Sequence, residues 1–292
     1  MNFKNINNMK SKFNIDIVKK IFSDIEDLLK QELGPIHMAI REDNKEFLET
    51  SEYQKILNVV NRALAEDWIM ENSNTKVRYS SIGNIGLVSD GKPEAVLYMA
   101  LKALKTHNNI VFYVKEDKHQ STDMIIKIVK KACEVNKYNT AIDYIEYTSI
   151  DELNKYVKNI NQFIFINKYA DLEKFRGKNP EVSTLYSSYG TMSLYLDDKD
   201  LKDTLLQMDE YVYNNNIELD LLKDMSVKEA IETINSNEDN YCSVIFTKDR
   251  KKAYEFIDGV KSKQVFVNRN PGSEYKFQMD DSSLVIKKEI YI

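Results

Sequence analysis

The sequence of 292 residues has little glycine, proline and histidine, with 8, 4 and 3 residues respectively. Glycine-rich loops let backbone amides approach phosphate groups, and histidine is the side chain that general acid–base catalysis uses most often. These shortages weigh against a glycine-rich phosphate loop and against a histidine-based catalytic centre.

Cysteine and long apolar runs are scarce as well. Two cysteines cannot build a disulfide framework or a zinc site. The chain opens on a polar stretch rich in Asn and Lys rather than on the apolar core of a secretory signal, and no run approaches the ~18 apolar residues of a membrane helix. We therefore expect a cytoplasmic protein with no metal site and no membrane contact.

Neither positive nor negative charge is in large excess. The 41 basic and 46 acidic side chains give a net charge of −5, which disfavours a nucleic acid as the main partner. A hydrophobic content of 42% is too high for a disordered chain. The length fits about two domains, and it fits one domain with an appendage equally well.

The N-terminal quarter has helical periodicity. Apolar residues at helical spacing predict a helix over residues 16–33 that stops at Gly34 and Pro35, and a second helix is predicted between Tyr53 and Trp68. We expect residues 1–76 to form a helical segment that packs on the domain after it.

From residue 77 onward, short apolar runs alternate with helical segments, which predicts an α/β fold with a Rossmann-like, doubly wound parallel sheet over residues 77–184. A reduced second α/β domain is expected over 185–270 and a β arm over 271–292. The expected strands are 82–88, 110–114, 141–147, 163–166, 193–196, 243–247 and 265–268, and the expected helices are 94–105, 122–135, one opened by the capping box Ser149–Glu152, 199–213, one opened by the capping box Ser226–Glu229, and 251–260.

Several of these segments, in their order along the chain, resemble the aldehyde dehydrogenase superfamily, which includes glutamyl phosphate reductase. The resemblance spans residues 77–292, and in the second domain it is degenerate and shortened. It is carried by SIGNIGLV at 81–88 with Pro93, NIVFYVK at 109–115, SVKEAIETIN at 226–235, SVIFTKD at 243–249 and VFVN at 265–268.

This resemblance implies a chemistry whose residues can be checked one by one. In the family a cysteine thiolate attacks the carbonyl, an amide side chain helps to hold the oxyanion and a carboxylate activates water. Gly91 stands at the amide position, the nucleophile is expected near Leu219 or Asp220 where there is no thiol, and the segment 186–190 holds no acid at the place of the base. All three roles lack their residue.

The resemblance also implies NAD(P) as the cofactor, if any is bound. Lys115 stands where the family places a lysine that contacts the ribose, but Lys118 replaces the acidic residue expected three positions on. Asn167 and Lys168 stand where small residues face the pyrophosphate. Lys115 therefore has two interpretations, a cofactor contact or a solvated residue at a strand end.

The remaining reactive side chains have simpler explanations. Cys133 lies mid-helix among apolar residues, which indicates core packing, and Cys242 is the one weak catalytic candidate. Asp197, Asp198 and Asp200 suggest a metal, but acids at the start of a helix complement its dipole.

Three functions remain open. The first is a non-catalytic relative of the aldehyde dehydrogenases with an interaction or assembly role, the second an NAD(P)-dependent oxidoreductase acting on aldehydes or acyl phosphates, and the third a nucleotide-binding module without turnover. We expect self-association through the β-rich tail 283–292, with closure of the tail onto its own chain as the alternative.

Overall fold

The computed structural model describes residues 13–44, 50–74, 76–89, 91–166, 169–186, 191–197, 219–237, 240–269, 271, 279 and 281–291. The chain divides into two compact units. Unit 1 contains residues 1–167, 171–186 and 279–292, and unit 2 contains residues 168–170 and 187–278. Because both ends of the chain belong to unit 1, the sequence of unit 2 is inserted into it.

Three helices open unit 1, namely α1 (Ile15–Gln31), α2 (Leu33–Asn44) and α3 (Thr50–Ala65). The helix predicted over 16–33 forms as α1 and ends at Gln31, but the sequence did not predict α2, which begins at Leu33 and has Pro35 in its first turn. A proline is tolerated there since the first N–H groups of a helix have no partner within it. The helices α1 and α2 pack on α5 (Gln120–Val135), and α3 packs on α4 (Pro93–Lys105).

A five-stranded parallel sheet forms the centre of unit 1. Its order is β4-β3-β2-β5-β6. All six residues of β2 are buried, and so is every residue of α4 from Ala95 to Lys105. The strands are β2 (Asn84–Ser89), β3 (Asn109–Lys115), β4 (Ile142–Tyr147), β5 (Gln162–Phe165) and β6 (Thr184–Tyr186), with α6 (Tyr169–Lys178) between the last two.

Buried asparagines close the amino edge of this sheet. The Asn109 side chain donates to the side-chain oxygen of Asn84 at 2.9 Å, and the Asn84 amide donates to the Asn159 carbonyl at 3.0 Å. The oxygen of Asn108 accepts from the Gly83 N–H at 2.9 Å. The polar groups named here, at the amino edge of the sheet, therefore form hydrogen bonds with one another.

The C-terminal residues return to unit 1. The strand β11 (Val285–Glu289) pairs antiparallel with β1 (Val77–Ser81), in a two-stranded sheet of its own. Within the described residues, the tail thus closes onto its own chain, which is the alternative that the sequence left open.

Unit 2 contains a second parallel sheet, of order β10-β9-β7-β8. Its elements are β7 (Thr191–Leu196), β8 (Leu219–Lys223), α7 (Val227–Ser236), β9 (Asn240–Phe246), α8 (Arg250–Gly259) and β10 (Gln264–Val267). The predicted capping box between Ser226 and Glu229 opens α7. The helix expected over 199–213 lies outside the described residues.

Three short strands, β1, β6 and β8, were not expected. None of the residues in β1 and β6 is fully buried, and β8 has one buried residue, so these segments carry too little apolar alternation to predict a strand. The capping box of Ser149 and Glu152 forms as predicted, but it opens a 3₁₀ helix (Ile150–Lys155) rather than an α-helix.

Replacing Gly86 by alanine tests the packing of the first sheet. A Cβ atom at Gly86 would lie 2.9 Å from the Phe163 ring and 3.1 Å from the Tyr113 ring, both buried. We expect Gly86→Ala to lower the free energy of unfolding by about 1–3 kcal/mol, because overpacking forces these rings to move. Urea unfolding measures it, with Gly177→Ala as the control, since nothing lies within 4 Å of a Cβ there. An equal unfolding midpoint for the two variants would contradict the packing described.

Candidate functional site

The strand order places a candidate site at the carboxyl edge of the first sheet. The first strand of this parallel sheet, β2, has β3 on one side and β5 on the other. Open α/β sheets bind ligands outside the carboxyl ends of the strands where the order reverses in this way. The candidate site therefore lies at the ends of β2 and β5 and at the turn from β2 into α4.

The β2–α4 turn is closed by groups of its own chain. The buried Ser89 hydroxyl accepts the Gly91 N–H at 3.0 Å, and Gly91 has a φ of +85°. A Cβ at Gly91 would lie 2.6 Å from the Lys118 carbonyl oxygen. A side chain cannot stand at Gly91 without displacing the backbone of Lys118, so this position requires glycine.

A carboxylate of the same chain sits on the N-terminus of α5. Asp43, at the end of α2, accepts the backbone N–H of Gln120 at 2.9 Å and of Ser121 at 2.8 Å, and the Ser121 hydroxyl at 2.5 Å. A helix N-terminus is a ready anion site. Here the anion is Asp43, so a ligand phosphate would have to displace it. The contact joins residues 78 apart, and no local sequence signal indicates it.

Lys115 ends β3 at the same edge and is exposed. The neighbouring Val114 pairs with Ser89 in the sheet. Within the described part of the chain no hydrogen bond or ion pair to the Lys115 side chain is formed. This position fits both interpretations of Lys115. Asn167 and Lys168, on which the pyrophosphate argument depends, lie outside the described residues.

The expected nucleophile position lies in a paired strand. Leu219 and Asp220 are the first residues of β8 and pair with Met192 and Ser193 of β7. They are part of a sheet ladder rather than a loop that faces a substrate. Of the segment expected to hold the base, Tyr186 ends β6 and residues 187–190 lie outside the described part.

Both thiols are buried. Cys242 has no exposed surface and packs with Met192, Val244 and Phe266. Burial raises the pKa of Cys242 to about 12, and burial together with the nearby Glu134 raises the pKa of Cys133 to about 12. The thiolate is the nucleophilic form, so both side chains are protonated and inert at neutral pH.

Asp197 is held in an ion pair. It receives hydrogen bonds from Lys252 and from the Thr247 hydroxyl, each at 2.6 Å. Partial burial raises its pKa, but these two hydrogen bonds outweigh it and hold the pKa of Asp197 below its usual value. Asp198 and Asp200 lie outside the described residues.

Neither a metal centre nor a membrane segment is formed by the residues that the structure describes. No group of three or more His, Cys, Asp or Glu side chains there is placed to hold a metal ion. No helix in the same ranges is long and apolar enough to cross a membrane.

Solved structures with the same architecture are numerous. Gamma-glutamyl phosphate reductase from Thermotoga maritima aligns with 99% of this chain and 95% of its own, with a TM-score of 0.63 and 13% identity. Glyceraldehyde-3-phosphate dehydrogenase from Methanocaldococcus jannaschii, solved with NADP, aligns with 99% and 91%, with a TM-score of 0.75 and 12% identity. Aldehyde dehydrogenase 21 from Physcomitrella patens, solved with succinate, aligns with 95% and 86%, with a TM-score of 0.73 and 12% identity.

This chain has the aldehyde dehydrogenase fold. The likeness confirms the predicted α/β class with its Rossmann-like parallel sheet. It also confirms the resemblance of the sequence to the aldehyde dehydrogenase superfamily. No family model matches the sequence, and no curated protein matches it either. At 10–16% identity the likeness concerns the fold, so activity has to be argued from the residues.

The burial of Cys133 and Cys242 predicts thiols that do not react in the folded protein. Burial raises the pKa of both thiols well above that of an exposed cysteine and shields both from solvent. We expect a thiol reagent such as Ellman's reagent to modify neither cysteine in the native protein and both in urea. Rapid modification of Cys242 in the native protein would contradict its place in the core and restore it as a catalytic candidate.

Proposed function

We propose that this chain is a non-catalytic protein with the aldehyde dehydrogenase fold and an interaction or assembly role. The observation that carries the proposal is the burial of Cys242 and Cys133 as protonated thiols. The sequence contains no third cysteine, so no other part of the chain can supply the thiolate. Covalent catalysis of the family's kind has no nucleophile here.

The oxyanion position supports the same proposal. Gly91 has no side chain, and the close approach of the Lys118 carbonyl leaves no room for one. Losing one oxyanion donor typically costs about 10²–10³-fold in rate. A chain without the thiol and without this donor lacks two independent parts of the reaction.

The second candidate is an NAD(P)-dependent aldehyde oxidoreductase, and the fold likeness supports it more directly than it supports the first. The dehydrogenase from Methanocaldococcus jannaschii was solved with NADP, and so was an engineered glycolyl-CoA reductase. The exposed Lys115 is free to meet a ribose. A phosphate does not fit the N-terminus of α5, however, because the Asp43 carboxylate holds those donors.

A nucleotide module without turnover is the third candidate, and it depends on the same edge of the sheet. The closed β2–α4 turn and the Asp43 contact weigh against it. The buried free thiols are compatible with a reducing compartment, and we propose the cytoplasm.

Assays of turnover and of cofactor binding separate these candidates. We expect no change in nicotinamide absorbance above background with aldehydes or acyl phosphates, because no thiolate is present. Calorimetric titration with NADP is expected to show no binding at micromolar concentration.

Saturable binding of NADP that weakens at least tenfold in Lys115→Ala would contradict the expected lack of cofactor binding and favour the nucleotide module. Turnover would overturn the proposal in favour of the oxidoreductase. The control is Lys127→Ala, which removes an exposed lysine of α5 that pairs with Asp123 of the same helix.

We also propose self-association through the ribbon of β1 and β11. A two-stranded ribbon is marginal by itself, and an unpaired strand edge is a template for another strand. The strand β11 carries the exposed apolar side chain Ile286, with Tyr291 exposed just beyond it. A second copy of the ribbon would cover both.

Light scattering tests this assembly. We expect a dimer of the full chain at micromolar concentration and a monomer for Ile286→Lys, since a charge at an apolar interface must be desolvated. Tyr254→Lys is the control, because Tyr254 is an exposed apolar side chain that lies on α8 rather than on the ribbon. A wild-type monomer, or an Ile286→Lys dimer, would reject the ribbon as the interface.

A further inference from the structure

Two lysines lie inside unit 1, on the buried helix α4. Lys102 is 3% exposed and Lys105 is 1% exposed. Buried ammonium groups need paired carboxylates or hydrogen-bond acceptors, since desolvation of an unpaired charge is very costly. The partners of the two lysines therefore show which segments of the chain compensate the buried charges of α4.

Both lysines share the carboxylates of Glu66 and Asp281. The ammonium of Lys102 contacts the Glu66 carboxylate and lies 2.7 Å from Asp281. Lys105 lies 3.5 Å from Asp281, and it donates to the carbonyls of Ala63 and Glu66 at the end of α3. Asp281 is therefore the only carboxylate that the C-terminal segment brings to these two cations within the described residues.

The cations also meet aromatic faces. Arg62 lies 4.1 Å from the centre of the Tyr98 ring, and Lys105 lies 5.0 Å from the ring of Trp68. The Tyr98 hydroxyl donates to Glu66 at 3.0 Å. With Asp281 removed, three cations (Arg62, Lys102 and Lys105) would face the single carboxylate of Glu66. The surface under the C-terminal segment is thus cationic and aromatic.

The C-terminal segment is held at three successive points. The first is Asp281 on the two lysines. The second is Leu284, whose side chain is fully buried and whose carbonyl accepts from the Asn108 side chain at 2.7 Å. The third is the ladder of β11 with β1.

Met279 and Leu284 are the buried apolar side chains of this segment among the described residues. No residue of β11 is fully buried, and its partner β1 has none either. The carboxylate, the side chains of Met279 and Leu284 and the strand ladder therefore attach the segment, in the way that an added strand binds a sheet edge with pockets for chosen side chains.

We propose that residues 279–291 are a tethered peptide ligand, and that the groove of α3, α4 and β1 recognises a carboxylate, a leucine three residues later and then a strand. When the groove's own segment is displaced, it accepts the same segment from a second copy of this chain. The tether excludes a competing peptide because an attached segment has an effective concentration in the millimolar range. The inference rests on the proposed self-association only for the identity of the second partner.

Binding of a labelled peptide spanning residues 279–291 tests the groove. The full chain carrying Asp281→Asn has a weakened segment, and so has the full chain carrying Leu284→Ala. We expect both to bind the peptide saturably and at least tenfold more tightly than the wild-type chain. A peptide with Asn in place of Asp281 should bind these variants at least tenfold less tightly. Asp151→Asn, which removes a half-exposed carboxylate that pairs with Lys174 and Lys178, is the control and should behave as wild type.

Three results would overturn the proposal: no peptide binding by either variant, equal binding by variants and wild type, or equal affinity of the Asp and Asn peptides. If a variant is unfolded alone, the Asp peptide should restore its helical circular dichroism and the Asn peptide should not; failure of that restoration also rejects the groove. The light-scattering test of the ribbon is separate, because the chain can dimerise through the ribbon whether or not the groove binds a free peptide.

Discussion

Two buried ammonium groups on α4 need carboxylate partners from two distant segments of the chain, and this requirement determines the organisation of unit 1. Lys102 and Lys105 lie on a helix whose buried residues are mostly apolar, and the Asp281 carboxylate outweighs the effect of burial and raises the pKa of Lys102 above that of an ordinary lysine. Burial lowers the pKa of Lys105, which is held by carbonyl acceptors from α3 as much as by charge. One carboxylate, Glu66, directly follows α3 and the other, Asp281, comes from the tail, so both segments contribute to the burial of the two charges on α4.

This constraint explains why the chain returns to unit 1 after unit 2. Unit 1 is not complete at residue 186, since the sheet and helices formed by then leave two buried cations with one carboxylate. The C-terminal residues supply the second carboxylate, and the Leu284 carbonyl meets Asn108 in the asparagine network at the amino edge of the sheet. Folding of unit 1 therefore depends on contacts between residues nearly 180 positions apart, such as Lys102 and Asp281.

The elements with strong periodicity could be predicted from the sequence, and those that depend on distant contacts could not. The runs 82–88 and 110–114 became the central strands because parallel strands buried on both faces read as continuous apolar runs. The strand β1 has no such signal and exists through its pairing with β11. At the candidate site, the lack of an amide at Gly91 is visible in the sequence, but its cause, the approach of Lys118, is not. The lysines at 102 and 105, three apart in the run MALKALK, carried a usable signal, because a charge inside an apolar helix needs a buried partner.

The carboxyl edge of the first sheet lies where this fold class binds ligands, but the backbone N–H donors there already form hydrogen bonds within the chain. Asp43 holds the N–H groups that open α5, and Ser89 holds the N–H of Gly91. Each hydrogen bond to the charged Asp43 would be lost if a phosphate took its place, and a buried carboxylate without partners is costly. A phosphate at the N-terminus of α5 therefore requires α2 to withdraw its last turn. Because α2 packs along α5, that movement would also uncover apolar surface of α5. The same groups that stabilise the N-terminal helices on this domain thus oppose a phosphate-bearing ligand at the edge where the fold would place one.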